Sequence, residues 1–295
     1  MEEFLSHTLG GVVSGSVYAA FALALVLIWR STRIVNFAQG SMAAATTFIA
    51  VAVIDAGASY WVALVVALLS GLVLGALIER VIIRPVEGGP ELNAVIVTLG
   101  LFIAIQGAVA LIWGVNQRAF VPPFSADGYE VREGFTLLSL SPNTIWTVGA
   151  VLVTMLLLIA LFRFTRLGLA MRASAFGQEV ARLLGVRVGR MLTLGWALAA
   201  VVGALAGMLI AGDVSFITPN YMDTLIVFGF VAAVLGGLDS PIGAVVGGLL
   251  LGLALSYVAG YFGDALLGIT ALVILMIVLL VRPGGLFSTT PARRA

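Results

Sequence analysis

Apolar runs, each about as long as a membrane crossing, recur from one end of this chain to the other. A helix needs about 20 mainly apolar residues to cross the hydrocarbon core, where it must satisfy its own backbone polar groups. Such runs lie at roughly 9–29, 35–54, 60–79, 92–113, 144–163, 191–212, 222–238, 241–260 and 264–281. They predict an all-α, polytopic transmembrane helix bundle in which residues 1–295 form a single transmembrane domain of about nine spans. Two runs meet at Ser240-Pro241 and read either as two spans or as a re-entrant pair, which sets the range at eight to ten. Composition agrees: 10% of residues are charged and 61% hydrophobic, against about 25% charged in a soluble domain. The first residues, MEEFLSH, are acidic where a signal peptide is basic, so the first run is expected to stay and span.

Arginine placement gives the expected sidedness. Arg30, Arg33, Arg80, Arg84, Arg163, Arg166, Arg172, Arg182, Arg187, Arg190, Arg282, Arg293 and Arg294 fall on one side of this span pattern. Only Arg118 and Arg132 fall on the other. The positive-inside rule then puts the N-terminus outside and the C-terminus in the cytoplasm. Residues 114–143 become an external loop, with Pro122-Pro123 and the mixed charges Arg118, Asp127, Glu130, Arg132 and Glu133.

Several chemistries are disfavoured. There is no cysteine, and His7 is the lone histidine, so a metal centre is not expected. No GxxxxGK[ST] occurs, so ATP binding through a P-loop is not expected in this chain. Asp55, Glu79, Asp213, Asp223 and Asp264 all fall near span ends, which argues against a proton- or sodium-coupled carrier and against a membrane-embedded enzyme.

Glycines four apart (Gly11/Gly15, Gly71/Gly75, Gly203/Gly207, Gly243/Gly247 and Gly248/Gly252) mark faces where helix backbones approach closely. Asn36 and Gln39 flank a span start, as helix caps or as pathway residues. Thr98 and Gln106, eight apart, lie near one helical face, where they either line a path or bond between helices. The turn Gly236-Gly237-Leu238-Asp239-Ser240-Pro241 frees backbone groups that must be satisfied inside the protein or by water.

Between Arg163 and Arg190 lie six of the fifteen basic residues and one acid, Glu179. This charged island predicts a cytoplasmic loop. Along 171–184, Met171, Ala175, Phe176, Val180, Leu183 and Leu184 share one face at helical spacing. Such a helix lies on the membrane surface or inserts its apolar side into a partner. Gly185 suits an abrupt left-handed helix end.

Glu179 to Gly185 reads E-x-A-x-x-x-G, which resembles the coupling motif of ABC-importer permeases. The resemblance extends along TRLGLAMRASAFGQEVARLLGVRVGR, GSVYAAFALALVLIWRSTRIVNFAQGSM and FVAAVLGGLDSPIGAVVGGLLLGL, in collinear order over nearly the whole chain. These segments are similar to the permeases of branched-chain amino acid importers, the LivH type. Asp239 departs from the small residue this family commonly has in its G-G-L-x-S turn.

The resemblance implies a non-enzymatic permease subunit of an ATP-binding cassette importer in the bacterial inner membrane. Its substrates would be branched-chain or related amino acids, with urea or short amides as family alternatives and a stand-alone channel or secondary transporter as the reading from another class. Implied partners are a second, related permease chain, two cytoplasmic ATPases that bind the ATP, and a periplasmic or extracellular substrate-binding protein. Alternating access would be driven through the loop 164–190, with Arg172, Glu179, Ala181, Leu184 and Gly185 as coupling residues. Asn36, Gln39, Thr98 and Gln106 would border the pathway, and Gly236, Gly237, Ser240 and Pro241 would form a structural turn.

Overall fold

The computed structural model of the chain describes residues 2–86, 89–125, 127–132, 135–137 and 141–287. Glu133, Arg293 and Arg294, used in the charge pattern above, lie outside the described residues. Eleven α-helices run in chain order: α1 Glu2–Thr32, α2 Gln39–Asp55, α3 Tyr60–Ile78, α4 Glu91–Trp113, α5 Pro142–Phe164, α6 Arg166–Phe176, α7 Gln178–Leu183, α8 Val188–Val214, α9 Asp223–Gly236, α10 Pro241–Phe262 and α11 Leu267–Val281. Among the described residues, four short strands accompany them: β1 Arg118–Ala119, β2 Tyr129–Arg132, β3 Phe135–Leu137 and β4 Phe216–Ile217. β1 pairs antiparallel with β4, and β2 with β3.

Among the described residues, seven helices are long and apolar enough to cross a membrane. Two of the nine expected spans, 35–54 and 222–238, are shorter helices of 17 and 14 residues, α2 and α9. At 1.5 Å per residue these reach about 25 and 21 Å, short of a core about 30 Å thick. Gly237, with φ of +102°, ends α9.

Hydroxyl caps and glycines set several other boundaries. Ser141 and Ser240 accept the amide hydrogens of Thr144 and Gly243, each with proline at the first helical position. Thr165 caps α6 in the same way, through Gly168.

α1 and α8 form the centre of the bundle. α1 packs chiefly on α10, with α8 and α9 beside it, and α8 also takes α3 and α2. Phe21, Leu23, Ile28, Trp196 and Met208 are fully buried there. By contrast, α4, α5 and α11 bury only a minor share of their surface within the chain. Exposed Ile103, Leu111, Leu156, Leu157, Leu272 and Leu280 leave them an apolar outer face, as a membrane protein requires.

The glycine spacing acts at these seams. A Cβ at Gly15 would stand 2.8 Å from Leu249 Cα, and one at Gly248 2.6 Å from Ala19 Cα. The α1 and α10 glycine pairs therefore face each other across one backbone-to-backbone contact. Gly71 and Gly75 of α3 likewise meet the backbone of α8 at Ala200 and Trp196.

Candidate functional site

At one end of the bundle, α1, α5, α8 and α9 line a half-open cavity of about 200 Å³. Its polar wall is Ser14, Tyr18, Thr144, Thr147, Asp213 and Tyr221, with Thr224 at the edge. Val13, Val17, Ile210, Leu225 and Phe228 form the apolar wall. Tyr18 meets Phe228 edge to face, with ring centroids 5.3 Å apart. Tyr221 donates to Thr47 Oγ1 at 2.9 Å or to the Gly207 carbonyl at 3.1 Å. This end also carries the aromatic group Tyr60, Trp61, Phe120, Phe124 and Trp146 and the Arg118–Asp55 ion pair at 3.3 Å.

The four polar residues singled out in the sequence lie apart from that cavity's lining. Asn36 and Gln39 are buried and bonded to each other, Asn36 Nδ2 donating to Gln39 Oε1 at 3.1 Å. Asn36 Oδ1 accepts the Ala38 amide at 3.0 Å, and Gln39 Nε2 reaches the Ala199 carbonyl of α8 at 2.9 Å. Gln39 occupies the space that a side chain at Gly203 would need. Thr98 donates to Val95 O at 3.0 Å or Val35 O at 3.4 Å, so α4 abuts the same connection between α1 and α2. Gln106 is separate from these three and donates to the Asp223 carboxylate at 3.2 Å.

At the opposite end lies the segment 164–190. The single helical face expected over 171–184 is not formed. Gly177 breaks it: α6 ends there, the Gly177 amide bonding to Ala173 O at 3.2 Å, and α7 restarts from the Gly177 carbonyl. Glycine loses the most backbone freedom in a helix, which makes it the weak position of this segment. Met171 faces the core at 5% exposure, whereas Val180, Leu183 and Leu184 stand 61%, 88% and 74% exposed.

α7 ends as the sequence predicts. The Val186 amide bonds to Ala181 O at 2.9 Å and the Gly185 amide to Arg182 O at 3.0 Å, the paired bonds of a Schellman motif. Gly185 sits at φ +82° with open space around it, so backbone conformation, not crowding, requires glycine. Ala181 is buried against Val188 and Leu192, with Val186 beside it. Glu179 and Arg172 are exposed, and Arg172 lies with Arg30, Ser31 and Met171 around a small cleft.

Sequence reasoning missed a half-buried ion pair beside this segment. After Ile78 the chain makes a π-helical turn, Glu79–Ile83, and a 3₁₀ turn, Arg84–Val86, so one apolar helix runs to Val86. Glu79, expected at a span end, is 1% exposed inside it. Arg84 grips its carboxylate at 3.0–3.1 Å and also bonds to Gly189 O at 2.7 Å. Thr193 donates to Glu79 Oε2 at 2.7 Å. Residues five apart do not face each other on an α-helix; the π turn aligns this pair, and the sequence carried no signal for that.

The turn 236–241 sits at the same end. Gly236 packs on Gly243, and Asp239 pairs with Arg33, which accounts for a carboxylate in that turn. The carbonyls freed at the end of α9 are taken by Leu286 N on Leu235 O at 2.9 Å and Phe287 N on Gly236 O at 3.1 Å.

A family model described as "Branched-chain amino acid transport system / permease component" matches residues 7–281. The high-affinity branched-chain amino acid transport system permease protein LivH of Escherichia coli K12 is 30% identical, over 96% of this chain and 95% of its own length. The corresponding BraD protein of Pseudomonas aeruginosa is 29% identical over 96% of this chain and 95% of its own. A solved structure, PsaBC from Streptococcus pneumoniae in complex with Fab, superposes with a TM-score of 0.51 at 16% identity, covering 95% of this chain and 92% of that one. That likeness concerns the fold alone.

Proposed function

This multi-pass membrane protein belongs to the permease components of branched-chain amino acid transport systems, and from that premise we propose that it is a permease subunit of an ATP-driven importer. It forms one side of a pathway for branched-chain or related amino acids in the bacterial inner membrane, beside a second, related permease chain. Two cytoplasmic ATPases bind the ATP, a substrate-binding protein delivers the cargo, and this chain has no ATPase site of its own. The N-terminus lies outside and the C-terminus inside. α2 and α9 count as spans by pairing their short lengths with the loops that precede them, giving nine. Residues 114–143 face the binding protein.

One observation carries the reading: the exposed apolar knob of Val180, Leu183 and Leu184, in a segment otherwise rich in arginine. Water-exposed leucines outside the spans are costly unless a partner or lipid covers them. Glu179 precedes the knob on α7, and the Schellman end at Gly185 fixes its direction. ATPase closure pushes α7; Ala181, buried on Val188 and Leu192, passes the push to α8. The bundle then switches as packed units between outward and inward openings. Asn36, Gln39 and Thr98 hold the α1–α2 connection beside the pathway during that switch, and Gly236, Gly237, Ser240 and Pro241 form its inner turn.

Affinity purification in mild detergent tests the assignment. The wild type is expected to retain a P-loop ATPase, and a Glu179→Arg, Gly185→Arg variant to lose it; no ATPase with either form would count against it. One observation favours a second reading. Asp213 in the cavity resembles a coupling-ion ligand, and a secondary transporter would move substrate on a sodium or proton gradient without ATP.

A further inference from the structure

We propose that the cavity between α1, α5, α8 and α9 is a recognition station for a small zwitterion, with Asp213 receiving its ammonium group and the apolar wall its hydrocarbon side chain. The inference rests on the importer reading and adds to it the site and the chemical class that fits there.

Asp213 lines the cavity and, among the described residues, makes no ion pair or side-chain hydrogen bond. No arginine lines the cavity with it. Asp213 also stands one residue from the C-terminal end of α8, Val214. That end carries the negative pole of the helix, so a carboxylate there is repelled and a cation is attracted. The other carboxylates with close partners differ: Glu79 has Arg84, Asp55 has Arg118 and Asp239 has Arg33. Asp213 is itself solvent-exposed, and its carboxylate gives the lining of this cavity its negative charge.

Shape and polarity select the ligand further. About 200 Å³ is below the range of roughly 300–1,000 Å³ that holds drug-sized molecules. The hydroxyls of Ser14, Tyr18 and Thr144 give the carboxylate of an amino acid neutral donors, without a fixed positive charge to trap it. A transport station must bind weakly enough to release. Val17, Leu225 and Phe228 offer a branched aliphatic side chain a matching wall.

The absence of cysteine in this chain makes the test direct. Thr224, exposed at the cavity edge, is replaced in a Thr224→Cys variant of the assembled complex, and labelling of this chain is followed by mass. The cationic 2-aminoethyl methanethiosulfonate is expected to react at least tenfold faster than the anionic 2-sulfonatoethyl reagent. Adding Asp213→Asn should bring the two rates within about twofold, Asp213→Glu should restore the preference, and L-leucine should slow labelling. Equal rates for both reagents before Asp213 is changed, or no protection by L-leucine, would overturn the proposal. ATP-driven leucine uptake by the unmodified complex is run alongside. Its absence sinks the importer reading, whereas uptake with no charge preference in labelling sinks only this site.

Discussion

The two ends of the bundle are built in opposite ways. The cavity end gathers hydroxyls and one unpaired carboxylate from four helices, with its apolar groups turned inward around a space. The arginine end pairs Glu79 with Arg84 and Asp239 with Arg33, and turns apolar groups outward on a six-residue helix that packs chiefly on α6 and α8. The difference teaches a division of labour. A surface that must meet a small polar cargo gathers its polar groups around a space. A surface that must meet a protein satisfies its polar groups and leaves leucines exposed.

That division is open to breakage by substitution. The largest effect is expected between the ends, where a change should abolish both jobs at once. Gly252→Val puts side-chain atoms against the backbone of Gly11 and Gly15. Because backbone cannot step aside, the cost should exceed the usual overpacking range of about 1–3 kcal/mol, and size-exclusion profiles in detergent should show loss of the folded protein. Glu79→Gln comes next. It removes the charge that Arg84 grips, and because Arg84 is itself about a third exposed a loss of roughly 2 kcal/mol is expected, read as a lower melting temperature with the ATPase still bound below it.

Leu183→Arg with Leu184→Arg should leave melting almost unchanged, since both side chains are exposed. Surface changes usually stay within about 0.5 kcal/mol. ATPase affinity should nonetheless fall at least about thirtyfold, the effect of losing an interface anchor worth roughly 2 kcal/mol, measurable by titration of the purified ATPase. The smallest effect is expected for Gly185→Ala. Nothing surrounds the added methyl, so only the left-handed conformation opposes it, at about 1–2 kcal/mol. Hydrogen exchange should rise at Gly185 and Val186 and stay unchanged at the cavity.

Much of this architecture was legible in the sequence because its causes are local. Apolar runs set the helices, and glycines four apart marked the seams between α1 and α10 and between α3 and α8. Gly185 was readable as a helix end because one residue's backbone decides it. The candidate site was far less legible. Tyr18, Thr144, Asp213 and Tyr221 come from four separate segments, and no spacing rule brings them together. Glu79 and Arg84 meet only through a π turn. The helix expected over 171–184 fails because its apolar residues serve two surfaces, Met171 the core and Leu183 the outside, which a periodicity count merges into one face.

The most direct test measures ATP hydrolysis and L-leucine uptake together, in proteoliposomes holding the complete importer, for Leu183→Arg, Leu184→Arg beside Asp213→Asn. The account predicts that the loop variant loses both activities, because the ATPases no longer engage. It predicts that Asp213→Asn still hydrolyses ATP but moves far less leucine for each ATP consumed. Uptake at the wild-type level in the loop variant, or identical losses in both variants, would contradict the division between the two ends.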